Sequence, residues 1–190
     1  MSAVFSHLKR AASGSKPLLT NCLVYGSLCG LAEFSQQTLL FKVFPSKDQR
    51  RPYDTGSIFR YGVLGGLVLA PGLHYWYLWL DKVLPGTALV TVAKKTVIDV
   101  SLFAIPYYSA FYVLLNMMSG ESFSEAVLEL KQKLAPTMTT MACFWIPAQT
   151  INFRYVSPTK RIIFLAGCTF VEFNVLALFK KLEGGKLFVT

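Results

Sequence analysis

The stretch from Pro17 to Phe41, PLLTNCLVYGSLCGLAEFSQQTLLF, contains a single charged residue, Glu33. A helix needs about 20 predominantly apolar residues to cross the hydrocarbon core of a bilayer. Pro17 suits the first turn of such a helix, because the N–H that proline lacks would have no helical partner there. The stretch therefore predicts a membrane-spanning helix, and later segments of the chain repeat the pattern.

Four further apolar segments follow along the chain. They cover residues 57–79, 95–118, 134–156 and 162–179. Glu172 and Asn174 interrupt the last segment, so four crossings and five crossings both remain open. Ser122 and Glu125 have the spacing of a capping box at the start of a short amphipathic helix. We predict an all-α fold, a multi-pass transmembrane helical bundle of four to five membrane helices plus a short amphipathic helix, in one membrane domain over residues 17–181.

The composition excludes a soluble globular enzyme. Hydrophobic residues make up 53% of the chain and charged residues 15%, whereas a soluble domain carries about 25% charged residues. The net charge of +9 comes from basic residues at the flanks of apolar segments, where they anchor helix ends to headgroups and water. We expect the lipid bilayer as the main partner and no direct, specific binding of nucleic acid.

The first 16 residues, MSAVFSHLKRAASGSK, are basic and contain no acidic residue. Val4, Phe5 and Leu8 share one helical face, opposite Lys9, which is the pattern of a mitochondrial targeting segment. A solvated basic tail before the first membrane helix is the alternative. Residues 182–190 are predicted to form a short tail after the membrane domain.

Small residues mark the faces along which the first two helices are predicted to pack. Gly26 and Gly30 lie on one face of the first helix, and Gly62 and Gly66 have small-xxx-small spacing in the second. Glycines at this spacing let two helix backbones approach closely within a membrane. The aromatic residues among 75–79 are typical of a belt at the bilayer interface.

Glu33, Asp99 and Glu172 are the acids that lie inside apolar segments. A charge in hydrocarbon costs on the order of 2.5–3.5 kcal/mol even on lenient scales, so each acid needs a partner or water. Glu33 shares a helical face with Gln37. We predict that these two residues and Asp99 belong to a polar pathway or an intramembrane network.

A structural tie is the alternative for each of these acids. Asp99 lies one helical turn after Lys95 and could pair with it. Glu33 could bond a partner such as Arg60 or His74. For Glu172 the structural tie is the favoured interpretation.

His74 is the only histidine beyond the first 16 residues. The sequence therefore offers too few histidines for a multi-histidine metal site and makes a histidine-dependent catalytic triad improbable. We interpret it as a hydrogen-bonded packing residue and keep it as a candidate member of the polar network. Gln149 and Asn152 share one helical face, where they either bond neighbouring helices or line a cavity. No phosphate loop, nucleophile elbow or dinucleotide fingerprint is present. We predict no enzyme activity, catalytic residue, cofactor or metal ligand.

Four groups of residues in the chain are similar to motifs of one membrane protein family. They are Gly26–Leu31 followed by Glu33, Pro71–Tyr77 with Pro85-Gly86, Lys94-Lys95 with Asp99, and the set Trp145, Gln149, Asn152 and Arg161. Together they cover most of the chain from Gly26 to Arg161 and resemble the Mpv-17/PMP-22 (peroxisomal membrane protein) family. The stretch from Gly120 to Leu134 looks most like the Mpv-17-like protein 2 branch. Glu172 stands near a position where the family usually has Trp.

The resemblance implies a non-enzymatic integral protein of the mitochondrial inner membrane or, alternatively, of the peroxisomal membrane. The basic first residues favour the mitochondrion. Some family members are regarded as small-solute channels, so we predict a weakly selective small-solute channel that supports mitochondrial homeostasis. The resemblance to the branch implies an alternative, a membrane-anchored factor for mitochondrial ribosome assembly and translation. Basic residues such as Lys47 to Arg51 or Lys180-Lys181 would then contact ribosomal particles. A homo-oligomer is a further expected partner.

Overall fold

The computed structural model describes residues 17–43 and 52–182, and all regular structure in these two ranges is helical. Five long helices form the bundle: α1 (Pro17–Thr38), α2 (Thr55–Val83), α3 (Leu89–Met118), α4 (Phe123–Tyr155) and α5 (Arg161–Leu182). A π-helical turn, Leu39–Val43, extends α1, and a 3-10 turn, Pro158–Lys160, precedes α5. The all-α prediction is confirmed. The predicted leader, residues 1–16, and residues 183–190 of the predicted tail lie outside the described residues.

The five helices form two groups. In the first group α1 packs against both α2 and α5, and in the second α3 packs against α4. Most of the buried apolar core comes from the three-helix group, for example Tyr25, Leu64, Leu80 and Leu165. The polar side chains of the interior meet along the interface between the three-helix group and the α3–α4 pair.

Two π-helical turns interrupt α2 and α3, at Gly65–Leu69 and Asp99–Phe103. Each ends shortly before a proline, Pro71 in α2 and Pro106 in α3. Proline has no N–H for the helical ladder, and a wider turn is one way in which a helix accommodates that loss. Such turns are frequent at functional sites. Asp99, the first residue of the second turn, belongs to the site described below.

The predicted short amphipathic helix is wrong as a separate element. Residues 123–155 form one continuous helix, α4, which contains both that segment and the predicted fourth membrane helix. Pro136 and Pro147 lie within α4 without ending it. An interior proline removes one backbone bond and bends a helix, and the chain has no glycine between Gly120 and Gly167 that could end α4. Helix α5 is likewise continuous through Glu172 and Asn174.

Helices α2 and α3 are long and apolar enough to cross a membrane. Only 11% of the most apolar window of α3 is buried against the rest of the chain, compared with 44% in α2. The large exposed side chains of α3 include Leu89, Val97, Leu102 and Ile105. An apolar helix that buries so little of its surface in its own protein is stabilised by lipid rather than by water. The described residues thus support two membrane-spanning helices of the four to five predicted.

The capping box at the start of α4 is present. The N–H of Glu125 donates to the Ser122 hydroxyl at 3.3 Å, and the N–H of Ser122 donates to the Glu125 carboxylate at 2.8 Å. The Ser122 hydroxyl also donates to that carboxylate at 2.6 Å. These bonds hold the pKa of Glu125 below its usual range. Their contribution is therefore present above about pH 4.3, the ordinary value for glutamate, and is lost as the pH falls through the lowered pKa.

We expect Ser122→Ala to destabilise the first turn of α4, because it removes the acceptor for an otherwise unpaired helical N–H. The expected cost is about 1 kcal/mol, seen as faster amide hydrogen exchange at the start of α4. The matched control is Thr150→Ala, since the Thr150 hydroxyl only bonds back to the carbonyl of Ile146 within the helix. Equal exchange in Ser122→Ala and in the unmodified chain would contradict the role of the box.

Candidate functional site

The four glycines predicted to pack lie where α1 meets α2. A Cβ on Gly26 would lie 2.7 Å from the carbonyl oxygen of Gly62 and 2.9 Å from the Cα of Gly66. A Cβ on Gly30 would lie 3.7 Å from the Cα of Gly62. No side chain separates the two backbones here, so α1 and α2 sit at the short distance that small residues permit. This contact holds together the three-helix group on which one wall of the site is built.

Asp99 is buried between α2, α3 and α4, with 5% of its surface exposed. The indole N–H of Trp76 donates to its Oδ1 at 2.7 Å, and the side-chain amide of Gln149 donates to its Oδ2 at 2.7 Å. Gln149 also donates to the hydroxyl of Tyr77 at 2.8 Å and accepts from the amide of Asn152 at 2.9 Å. The structure thus brings three predicted residues, Asp99, Gln149 and Asn152, into one hydrogen-bonded cluster.

Glu172 forms a second buried cluster, with 4% of its surface exposed. The hydroxyl of Tyr108 and the indole N–H of Trp145 donate to the same carboxylate oxygen, at 3.1 and 2.9 Å. Trp145 also donates to the Tyr108 hydroxyl at 2.8 Å. Tyr108 lies on α3, Trp145 on α4 and Glu172 on α5, so the cluster ties three helices together.

A cavity separates the two carboxyl clusters. Its volume is about 40 Å³, which gives room for about three water molecules. Its lining includes Tyr25, Tyr77, Asp99, Tyr107, Trp145 and Gln149. The hydroxyls of Tyr25 and Tyr107 are 2.5 Å apart, and Tyr25 is also 3.1 Å from the hydroxyl of Thr169. Most of the rest of the lining is apolar and includes Leu73, Val100, Phe103, Met141 and Leu165. The space is therefore of water size, with a few polar groups set in a mostly apolar wall.

The alternative interpretation of Asp99, an ion pair with Lys95, is wrong. Lys95, 1% exposed, donates instead to Asp81 Oδ1 at 2.6 Å, and Arg161 donates to Oδ2 of the same carboxylate. Both cations also lie over the ring of Phe153, at 5.8 Å for the Lys95 nitrogen and 5.3 Å for the Arg161 guanidinium. The direction of the Lys95 side chain decides the pairing, because it reaches the end of α2 rather than the next turn of its own helix. The result is a buried cluster of two cations and one carboxylate.

Glu33 and Gln37 lie near the start of α2 and make no contact with the Asp99 cluster. Gln37 donates to Glu33 at 2.8 Å, and the hydroxyl of Ser57 donates to the same oxygen at 2.9 Å. Gln37 also accepts from the N–H of Asp54 at 2.8 Å. The suggested partner Arg60 pairs with Asp54 at 3.5 Å instead. Local amide and hydroxyl donors thus satisfy Glu33.

His74, the other suggested partner of Glu33, lies on α2 and shares a hydrogen bond of 3.2 Å with the side chain of Asn21. This agrees with its interpretation as a hydrogen-bonded packing residue. His74, Asn21 and Asp81 line a second pocket of about 110 Å³. Tyr77 lines this pocket and also the central cavity.

Sequence reasoning missed the aromatic members of the site and the cation cluster. The sequence predicts Trp76 and Tyr77 as part of an interfacial belt, but of the aromatic residues among 75–79 only Tyr75 and Trp79 are exposed. Helical spacing is the signal that could have separated the inward-facing members from the belt, because Leu73, Tyr77 and Leu80 lie at i, i+4 and i+7 and are all buried. Within the two described ranges no group of three or more His, Cys, Asp and Glu side chains could hold a metal ion.

A sequence model of the Mpv17 / PMP22 family matches residues 116–176, which include α4 and most of α5. A Mpv17-like protein of Xenopus laevis is 32% identical over 155 residues, covering 82% of this chain and 72% of the relative. The chain belongs to the Mpv17/PMP22 family. This membership confirms the resemblance drawn from the sequence motifs.

Other members of the Mpv17/PMP22 family carry names from two organelles. The mitochondrial inner membrane protein Mpv17 of Rattus norvegicus is 27% identical over 163 residues, covering 86% of this chain and 89% of the relative. Peroxisomal membrane protein 2 of Bos taurus is 26% identical over 163 residues, with 86% and 79% covered. These matches do not distinguish the branches of the family, so the like-2 branch stays a prediction. No solved structure matches the chain.

Proposed function

We propose that this Mpv17/PMP22 family member is a weakly selective small-solute channel of the mitochondrial inner membrane. The rat relative is named for that membrane. The bovine relative is named for the peroxisomal membrane, which is the alternative location. The basic, acid-free residues 1–16 favour the mitochondrion.

All five helices are proposed to cross the bilayer. Helices α1 and α5 each contain 22 residues, about 33 Å at the helical rise per residue, and a hydrocarbon core is about 30 Å thick. Helix α4 is longer, with 33 residues. Its first turns carry Glu125, Glu129, Lys131 and Lys133, so they would lie in the headgroup region or in water.

The polar interface between the three-helix group and the α3–α4 pair is the observation that carries this proposal. Gln149 and Tyr108 from the pair bond Tyr77 and Glu172 from the three-helix group. Of these four residues all but Glu172 line the central cavity, as does Asp99. Buried polar side chains within a membrane domain are expensive and mark solute or ion pathways. A pathway lined by carboxyl, amide and hydroxyl groups selects weakly, by width and charge.

Passage of a solute larger than water requires the interface to widen. The cavity of about 40 Å³ holds about three waters and is too small for an organic solute. Separation of the α3–α4 pair from α1, α2 and α5 would break the side-chain hydrogen bonds across the interface and the buried ion pair of Lys95 with Asp81, while leaving the glycine contact between α1 and α2 intact. The same groups that close the interface would then line the open path.

The test is conductance of the purified full chain in a planar bilayer with a salt gradient. We expect Asp99→Asn to conduct while shifting the reversal potential toward anions, by roughly several-fold in the permeability ratio. In the widened, water-filled path the Asp99 carboxyl is ionised, and the substitution removes that charge while keeping the side-chain size. The control is Glu121→Gln, which removes the same charge from the exposed turn between α3 and α4. A silent purified protein, or equal reversal potentials for Asp99→Asn and the unmodified chain, would refute the channel.

The ribosome assembly hypothesis and the homo-oligomer stay predictions. Lys47 to Arg51, the basic segment invoked for ribosomal particles, lies outside the described residues, as do the side chains of Lys180 and Lys181. No contact among the described side chains bears on either partner.

A further inference from the structure

We propose that Asp99 and Glu172 exchange a proton through the central cavity, so that the interior of the bundle conducts protons while it remains closed to solutes. The inference rests on the proposed placement in a membrane but does not need the interface to widen. One member of this pair, Glu172, stands near a position where the family resemblance leads us to expect Trp.

The two carboxyls lie close to one another along the bundle. Gln149, which donates to Asp99, and Trp145, which donates to Glu172, are four residues apart on α4. They therefore lie on one face of α4, about 6 Å apart along its axis. Gln149 and Trp145 both line the central cavity. A chain of about three water molecules in this cavity is long enough to span the distance of about 6 Å between them.

The surroundings of both carboxyls are neutral in the part of the chain that the structure describes. Asp99 faces Trp76 and Tyr77 from α2 and Gln149 from α4. The nearest cation along its own helix, Lys95, is already bound to Asp81. The four ion pairs among the described residues involve neither carboxyl.

The side chains that contact Glu172 from α3 and α4 are uncharged. Tyr108 on α3 and Trp145 on α4 donate to it. Cys29 and Tyr25 on α1, and Cys168 on its own helix, are the other titratable groups that it influences. A buried carboxyl without a cation is stabilised by holding a proton, and it can pass that proton to an adjacent hydroxyl or water.

The hydroxyl of Tyr108 completes the path from the cavity to Glu172. Tyr108 lines the cavity and donates to Glu172 at 3.1 Å. In the transfer, protonated Asp99 gives its proton to a cavity water, that water gives a proton to Tyr108, and Tyr108 gives its own proton to the Glu172 carboxylate. One O–H bond is broken at Asp99 and one is formed at Glu172, while the water and Tyr108 each gain and lose one proton.

Polar groups continue from this pair toward both ends of the bundle. At one end, Tyr77 lines both the cavity and the pocket that His74 and Asp81 also line. At the other end, the hydroxyl of Ser35 donates at 2.6 Å to Asn174, which follows Glu172 by two residues. A transmembrane proton path also needs an entry and an exit, and in this proposal water that reaches the His74 pocket and the Ser35–Asn174 pair supplies them.

The experiment measures proton flux into vesicles that contain the full chain and an enclosed pH-sensitive dye, with a potassium diffusion potential as the driving force. We expect flux well above that of protein-free vesicles. Glu172→Gln should lower it by about a hundredfold, the lower end of what a positioned proton-transfer group supplies. Tyr108→Phe, which keeps the ring and both acids, should lower it to a similar extent. The matched control is Tyr75→Phe on the exposed face of α2, with flux unchanged.

Three results would overturn the proposal: flux no greater than in protein-free vesicles, full flux in Glu172→Gln, or full flux in Tyr108→Phe. If Glu172→Gln does not fold, Tyr108→Phe decides the outcome. Infrared spectra give a second readout, because the carbonyl stretch of a protonated carboxylic acid should be weaker in Glu172→Gln. Proton flux without solute conductance would refute the solute channel alone, and solute conductance with equal proton flux in all variants would refute the relay alone.

Discussion

Replacing Asp81 by asparagine should lower the free energy of unfolding by about 3–5 kcal/mol. Lys95 and Arg161 both bind this carboxylate, and only 1% and 3% of their side chains are exposed. The substitution leaves two buried cations without a counterion, and the cost of that exceeds the loss of the hydrogen bonds themselves. Unfolding of the purified protein in mixed micelles by a denaturing detergent measures the change.

The control for Asp81→Asn is Lys133→Gln, which breaks a half-exposed pair between neighbouring turns of α4, Lys133 with Glu129. Pairs of this kind contribute about 0.3–0.5 kcal/mol. The two variants should therefore differ several-fold in their effects. Equal stability of Asp81→Asn and Lys133→Gln would show that the cation cluster does not hold the ends of α2, α3 and α5 together.

Gly26→Ala should separate α1 from α2 and cost about 1–3 kcal/mol, the usual range for an overpacked interior. The new Cβ would lie 2.7 Å from the carbonyl oxygen of Gly62 and 2.9 Å from the Cα of Gly66. Both atoms belong to the backbone, so no rotamer change can relieve the clash. Cys29, 3% exposed on the same helix, provides a direct readout. Its reaction with a maleimide should accelerate in a chain whose other cysteines are replaced by serine.

Gly167→Ala is the matched control for Gly26→Ala. Gly167 also lies within a helix, α5, but a Cβ there would meet nothing within 4 Å. Alanine favours a helix over glycine by about 1 kcal/mol, so this variant should be as stable as the unmodified chain or slightly more stable. If both alanine variants behave alike, the close approach of α1 and α2 is not what stabilises the three-helix group.

The periodic apolar segments predicted which residues form helices, but not where two helices merge. The predicted boundary between an amphipathic helix and a membrane helix lay at residue 134, whereas α4 runs through it. Hydrophobic pattern and proline position describe local preference, and α4 is continuous because its neighbours hold both halves in line. The π turns in α2 and α3 were not predicted for the same reason, since they depend on backbone adjustment around Pro71 and Pro106.

The polar residues of the site could be chosen from the sequence, but their partners could not. Asp99 and Lys95 are four residues apart, which suggested a pair within one helix. The structure pairs Lys95 with Asp81 and leaves Asp99 to Trp76 and Gln149. Spacing within one helix says nothing about a neighbouring helix that offers a better partner. Arg161 and Asp81 are 80 residues apart, and no local pattern connects them.

Side-chain hydrogen bonds in the interior join the three-helix group to the α3–α4 pair. Because hydrogen bonds depend on direction, they affect how the two groups can separate. Apolar surfaces can slide past one another with small, continuous losses of contact. A hydrogen bond weakens steeply once its angle falls below about 120°. An interface built around Asp99, Gln149, Tyr77 and Glu172 should therefore occupy one of two discrete arrangements, joined or apart, with few intermediate positions. Conductance recorded from single molecules would then rise and fall in abrupt steps.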